Sequence, residues 1–213
     1  MEVIFVQTHK SKVVNGLILA AGLSRRMGEF KPLMRFGGKT LIECTVESML
    51  CAGVSQVVVV LGYRGEEIEA ILKSHYRDQV ILVYNNDYAS TDMLSSVKCG
   101  LAKMPLCHSY FLLLGDMPMV KKNTFKVLLE AVPLEQPVIL FPTLDGYPKH
   151  PPLINSYFTQ AILAFKEEGG LRHLWHQLEA HTIKISVEDR GVAIDFDTQQ
   201  VYATYANAVL SSN

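Results

Sequence analysis

Short apolar runs alternate along this chain with stretches in which apolar residues return every third or fourth position. The first run, 13–21, is interrupted only by Asn15 and Gly16. Others lie at 56–61, 80–84, 109–114, 138–141 and 182–187, with a short one at 192–194. Runs of this length between turn residues predict strands covered on both faces. Between them, Leu41, Cys44, Thr45, Ser48 and Met49 follow helical spacing over 40–51, with Gly53 as a stop. Ile68, Ile71 and Leu72 mark a second helix, and Thr91 or Asp92 caps a third that runs to about residue 103. A fourth covers 121–131. Ser156 caps a fifth through Ala161, Ile162 and Phe165, and Gly169-Gly170 breaks it before a sixth at 171–178. Thr198 opens a last helix that carries Val201, Tyr202, Tyr205 and Val209.

Strands joined by helices of this length imply right-handed crossovers and a parallel sheet. The expected fold is α/β, a three-layer αβα sandwich of Rossmann-like kind with a mostly parallel sheet. Residues 1–12 read as a leader and 13–213 as one domain. The proline-containing stretch 143–155 reads as an irregular lobe over the active face. Ligands of such sheets bind beyond the carboxyl ends of the strands. That rule gathers residues 22–31, 85–96 and Asp116 on one edge.

Composition narrows the function. At 213 residues with a net charge of −1, the chain has no general attraction for polyanions, so nucleic acid is not an expected partner. An apolar fraction of 49% and a charged fraction of 19% are those of a globular protein. No apolar run spans a bilayer, and the first residues lack the order of a signal peptide. Cys44, Cys51, Cys99 and Cys107 form no C-x-x-C pair. They read as reduced thiols, consistent with a cytoplasmic location. Gly38-Lys-Thr40 mimics the end of a P-loop, but Leu33 stands where its earlier glycine is required.

The chemistry concentrates where the first strand ends. Gly22 permits a turn and close backbone approach to a ligand. Ser24, Arg25, Arg26, Gly28 and Lys31 follow it, a loop suited to phosphate or, equally, an exposed basic turn. Asp116 is delivered at the tip of the 109–114 strand and reads as a Mg²⁺ ligand or a helix cap. Asp195 and Asp197 alternate and therefore share a face, while Thr198 competes with Asp197 for the capping role.

The stretch Leu19-Ala-Ala-Gly-Leu-Ser-Arg-Arg-Met-Gly-x-x-Lys31 resembles the signature L-x-A-G-x-S-x-R-M-G-x-x-K of the MobA-like nucleotidyltransferases. The molybdenum cofactor cytidylyltransferases are the branch it is most similar to. Gly115-Asp-Met-Pro resembles the family's metal-binding G-D-x-P, and Ile194-Asp-Phe-Asp-Thr its D-I-D-T. The resemblance implies the fold of the nucleotide-diphospho-sugar transferases. It also implies nucleotide binding by Leu19, Ala20, Ala21, Gly22, Ser24, Arg25, Lys31, Ser95 and Asp116. Arg25, Lys31 and Asp116 take catalytic roles, and Mg²⁺ sits on Asp116 and Asp197. Ala-Ala-Gly at 20–22 goes with cytidine in this family, hence CTP. Ala89–Ser96 is similar to G-M-S-S-S-L, but Asp92 replaces the glycine and Leu94 a serine. Tyr147-Pro-Lys-His-Pro151 resembles G-H-P with Lys149 for the glycine, and Gly169-Gly-Leu-Arg172 resembles G-x-x-G-x-R. These imply acceptor binding by His150, Pro151 and Arg172. The implied acceptor is the molybdopterin form of the molybdenum cofactor, with a molybdoenzyme as client of the product. A sugar phosphate or other small phosphate is the rival acceptor. The Asp92 and Lys149 departures keep open a carrier or chaperone that binds the cofactor without turnover.

Overall fold

The computed structural model describes residues 13–24, 28–133 and 136–210, with side chains to residue 206. The proposed leader, Arg25 and Arg26 lie outside the described residues.

The chain begins with β1 (Val14–Ala20), buried at every position. A one-turn 3₁₀ helix at Lys31–Leu33 and a small hairpin of β2 (Arg35–Phe36) and β3 (Lys39–Thr40) lead into α1 (Leu41–Cys51). Thr40 and Glu43 start α1 with a capping box. There follow β4 (Val57–Leu61), α2 (Gly65–Tyr76), β5 (Val80–Tyr84), α3 (Met93–Leu101), β6 (Ser109–Leu114) and α4 (Lys122–Glu130). The second half carries β7 (Ile139–Leu144), β8 (Tyr147–Pro148), β9 (Leu153–Asn155), α5 (Thr159–Ala164), α6 (Gly170–Gln177), β10 (Thr182–Ser186) and α7 (Gln199–Leu210). Among the described residues no helix is long and apolar enough to cross a membrane.

One sheet runs β10-β7-β9-β6-β1-β4-β5, with β8 paired to β7. The β1–β4, β4–β5, β1–β6 and β7–β10 pairs are parallel, while β9 is antiparallel to both neighbours. On one face, Ile42, Val46, Ile68, Leu72, Phe125 and Leu128 of α1, α2 and α4 pack against Ile18, Val59 and Phe111. On the other, Leu94, Val97, Ile162 and Leu174 of α3, α5 and α6 pack against Leu17, Val58 and Leu112. The three-layer αβα sandwich with a mostly parallel sheet is therefore present.

Three stretches differ from the elements that their pattern predicts. The stretch 143–155 is not wholly irregular, because it continues β7, turns at Asp145-Gly146 into β8 and supplies β9 to the middle of the sheet. Residues 192–194 are no strand. Asp189 Oδ1 accepts the Gly191 amide at 2.9 Å and opens a 3₁₀ turn over Arg190–Ala193. Ser156 does not cap α5: it opens a 3₁₀ turn over Ser156–Phe158 that leads into α5 and is capped by Asn155, whose Oδ1 accepts from the Tyr157 amide at 2.9 Å.

Candidate active site

The carboxyl ends of β1 and β6 lie side by side, with the Gly115 amide donating to the Leu19 carbonyl at 2.9 Å. A Cβ on Gly115 would stand 3.2 Å from Ala20 Cβ and from Ile42 Cδ1, so a residue without a side chain lets the chain turn here. The Thr45 hydroxyl reaches the Gly115 carbonyl at 3.3 Å and steadies the turn. The next residue, Asp116, projects over the end of the sheet.

Asp197 arrives from the far end of the chain. Phe196 is fully buried against Phe36, Tyr202 and Tyr205, with ring centroids 5.4, 6.1 and 6.1 Å away. With Phe196 anchored in the core, Asp197 borders the cleft, whereas Asp195 does not. Thr198 caps α7, its Oγ1 accepting from the Val201 amide at 3.3 Å.

Both carboxylates meet Lys31. Its ammonium donates to Asp116 Oδ2 at 3.2 Å and also contacts Asp197 Oδ1. Lys31 is 7% exposed, and its amide donates to the Ser24 hydroxyl at 3.3 Å. Ser24 has a left-handed backbone, φ 50°, and Gly28 another, φ 72°. Gly22 does not, and nothing lies within 4 Å of a Cβ built on it. Among the described residues before Lys31, Ser24 and Gly28 carry the positive φ, and Gly22 leaves open space above its backbone.

These groups line a cleft of about 400 Å³. Leu19, Ala20, Ala21, Gly22, Ser24, Lys31, Asp116 and Asp197 all border it, joined by Tyr88, Thr91, Asp92, Met93, Ser96 and Leu114. Ser95 does not. Its amide and hydroxyl both donate to Asp92 Oδ1 at 2.9 Å, as befits the residue that Asp92 caps. The serine facing the cleft is Ser96, which accepts from Asn85 Nδ2 at 3.0 Å, while Asn85 also donates to Thr91 at 3.2 Å. Asn85 and Ser96 belong to the edge expected from the strand order, but no spacing rule separates Ser96 from Ser95.

The acceptor candidates sit apart from this lining. His150 is held by its Nδ1–H, which donates to the Leu112 carbonyl at 3.3 Å. Burial holds its imidazole below the usual range, against the opposing pull of Leu112, Asp116 and Asp195. Burial pushes the Asp195 carboxyl up, and the charges of Asp197 and Asp116 act in the same direction. Pro151 is buried and Arg172 is exposed on α6. The start of α6 does reach the cleft rim, because a Cβ on Gly170 would stand 2.7 Å from Asp92 Oδ2.

Arg25 lies outside the described residues. Counted along the signature, moreover, the fixed arginine falls on Arg26, with Arg25 at the variable position before it. The resemblance therefore points to Arg26 rather than Arg25 for that role.

Among the described residues no three His, Cys, Asp or Glu side chains gather into a closed metal cage. Two carboxylates converging on one cation are nonetheless the donor set that a hard divalent ion uses when substrate phosphates complete its shell. Asp116 and Asp197 fit such an ion.

The fold and this edge of the sheet define a class of nucleotide-handling α/β proteins. The chain belongs to the family described as the MobA-like NTP transferase domain, whose model matches residues 16–182. It is thus a nucleotidyltransferase of the MobA type. Over 193 residues it is 27% identical to the molybdenum cofactor cytidylyltransferase of Escherichia coli, covering 90% of this chain and 94% of that one. It is 29% identical over 199 residues to the nicotine blue oxidoreductase of Paenarthrobacter nicotinovorans, covering 89% and 95%. Among solved structures, a nucleotidyl transferase from Methanothermobacter thermautotroptrophicus superposes with a TM-score of 0.79 at 22% identity, covering 94% of this chain and 99% of that one. A Mycobacterium tuberculosis protein in complex with manganese superposes with a TM-score of 0.69 at 22% identity, covering 92% and 100%. At these identities the two structures bear on the fold.

Proposed function

We propose that this protein transfers CMP from CTP to the phosphate of molybdopterin or the molybdenum cofactor and releases pyrophosphate. The observation that carries this reading is the meeting of Asp116, Asp197 and Lys31 at the mouth of the cleft lined by Ala20, Ala21 and Gly22. An acceptor phosphate oxygen forms a bond to the α-phosphorus of CTP, and the bond from that phosphorus to the β-bridging oxygen breaks. The electron pair leaves with pyrophosphate, and no protein nucleophile takes part. The work of the protein is positioning and neutralisation of charge.

Backbone amides at 20–22 hold the phosphates, and the open space over Gly22 admits them. Asp116 and Asp197 would hold Mg²⁺, which supplies positive charge at the α-phosphate. Lys31 neutralises the departing pyrophosphate, aided by Arg26. His150 and Pro151 lie on the acceptor side, with Arg172 at its outer edge. The CTP assignment rests on Ala-Ala-Gly at 20–22. The acceptor assignment rests on likeness to the Escherichia coli cytidylyltransferase across 90% of this chain.

A second acceptor class, a small phosphate or phosphonate, draws support from a 2-aminoethylphosphonate cytidylyltransferase of Lancefieldella rimae that is 33% identical over 97 residues.

The test is a pyrophosphate-release assay with CTP, GTP, ATP or UTP, Mg²⁺, and each acceptor in turn. Release with CTP and molybdenum cofactor is expected. Cofactor binding without pyrophosphate release under any nucleotide would contradict turnover and favour a carrier.

A further inference from the structure

Lys31 is an unusual place for a phosphate-binding cation to point. Its side chain is 9% exposed, and its ammonium is engaged by Asp116 and Asp197 on the cleft wall. A divalent ion bound to those two carboxylates would need the same oxygens, about 2.1 Å away. An ammonium in hydrogen-bond contact with those oxygens would then face a like charge within a few ångströms, in surroundings that screen poorly.

We infer that Lys31 is a displaceable counter-cation. It holds Asp116 and Asp197 together before a divalent ion binds, and the ion that takes its seat sends the ammonium across the cleft to the triphosphate. This rests on the reading that the two aspartates are the metal ligands, and it goes beyond that reading by coupling the two binding events.

The geometry allows the swing without backbone movement. The Lys31 amide is tied to Ser24, and its carbonyl accepts from the Met34 amide at 3.0 Å. The lysine side chain alone therefore has to reorient, and Lys31, Gly22 and Ser24 border the same cleft. The two carboxylates exchange the single charge of the Lys31 ammonium for the two charges of the ion, and the released ammonium meets the anionic triphosphate. Metal alone must evict Lys31 to nowhere favourable, whereas metal with nucleotide gives it a new partner. Each ligand consequently strengthens the other, and linkage makes the effect reciprocal.

The test is Mn²⁺ binding to the full chain without nucleotide, followed by the EPR signal of free Mn²⁺, in wild type, Lys31→Met and Lys31→Gln. Both variants should bind Mn²⁺ about tenfold more tightly than wild type, within the usual range of coupling between sites. In a second measurement, calorimetry at saturating Mn²⁺ should show CTP binding weakened in both variants, so that loss of Lys31 moves the two affinities in opposite directions. Cooperative thermal unfolding checks that each variant is folded, and the Lys31→Gln protein serves if Lys31→Met does not fold. Mn²⁺ affinity unchanged or weakened in the folded variants, with wild type still binding Mn²⁺ and CTP together, overturns the exchange but leaves the metal assignment standing. Absence of Mn²⁺ binding in every protein, with or without CTP, overturns both.

Discussion

Replacing Gly22 by alanine separates what this loop does for the fold from what it does for a nucleotide. Nothing lies within 4 Å of the added Cβ, and the backbone there is not left-handed. Among the described residues the methyl therefore meets no atom beyond its chain neighbours. Restricting the unfolded chain at a compatible glycine stabilises by about 0.4–1 kcal/mol. In a domain of this size that raises Tm by about 1–4 °C. The same methyl stands in the cleft, over the amides assigned to the phosphates. Loss of one hydrogen bond to a charged group costs about 1.5–3 kcal/mol, or roughly 10- to 150-fold in affinity. Differential scanning calorimetry and titration with CTP and Mg²⁺ read the two effects on one preparation. A variant that is as stable as wild type or more so, and that binds CTP at least about tenfold more weakly, agrees with the structure. Unchanged CTP affinity would refute the idea that phosphates approach the backbone at Gly22.

Other positions test other parts of the account. Asp116→Ala should abolish turnover while far-ultraviolet circular dichroism stays that of wild type; full activity would remove Asp116 from the site. Gly62→Ala places a Cβ 2.6 Å from the Ala21 carbonyl and 2.8 Å from the Tyr88 ring, so it should lower stability by about 1–3 kcal/mol in urea unfolding and weaken CTP as well. Glu43→Ala removes the capping box of α1 and should cost about 0.5–2 kcal/mol by the same method. Burial raises the Glu43 carboxyl, but hydrogen bonds from Thr40 and the contact with His75 outweigh it, and the net direction is down from 4.5. The unfolded chain then binds the proton more tightly. The stabilisation is present above about pH 4.5 and fades as pH falls through the lower folded value, a slope that Glu43→Ala should flatten. His150 is also shifted down, from 6.5, by burial. Below about pH 6.5 the unfolded state takes up a proton that the folded state resists, so stability falls there, and His150→Asn should reduce that fall in urea titrations.

Much of this was legible from the residues. The buried β1 and β4 are runs with hardly a polar residue, and periodicity separates them from the helices between. The Gly115-Asp116 step carries its chemistry in local pattern, because a strand tip fixes where its next side chain points, whereas the strand alternation expected for Asp195-Phe-Asp197 is absent and Asp197 alone borders the cleft. Other features depended on partners distant in sequence. β9 is three residues long inside a proline-containing stretch, and only pairing with β6 and β7 makes it a strand. Lys31 and Asp197 are 166 positions apart, so no local rule announces that the ammonium meets the carboxylates. Asp92 was readable as a cap, but its closeness to Gly170 across the cleft rim was not. Thr40-Leu-Ile-Glu43 was a legible capping box, obscured by its likeness to the end of a P-loop.

The most direct measurement is a crystal structure of the protein with Mn²⁺ and a CTP analogue that cannot be cleaved between its α- and β-phosphorus, the ion located by anomalous scattering. The account predicts one Mn²⁺ joining Asp116, Asp197 and the α-phosphate, with the Lys31 ammonium moved onto the phosphates. Nucleotide bound away from these aspartates, with Lys31 still between them, would contradict it.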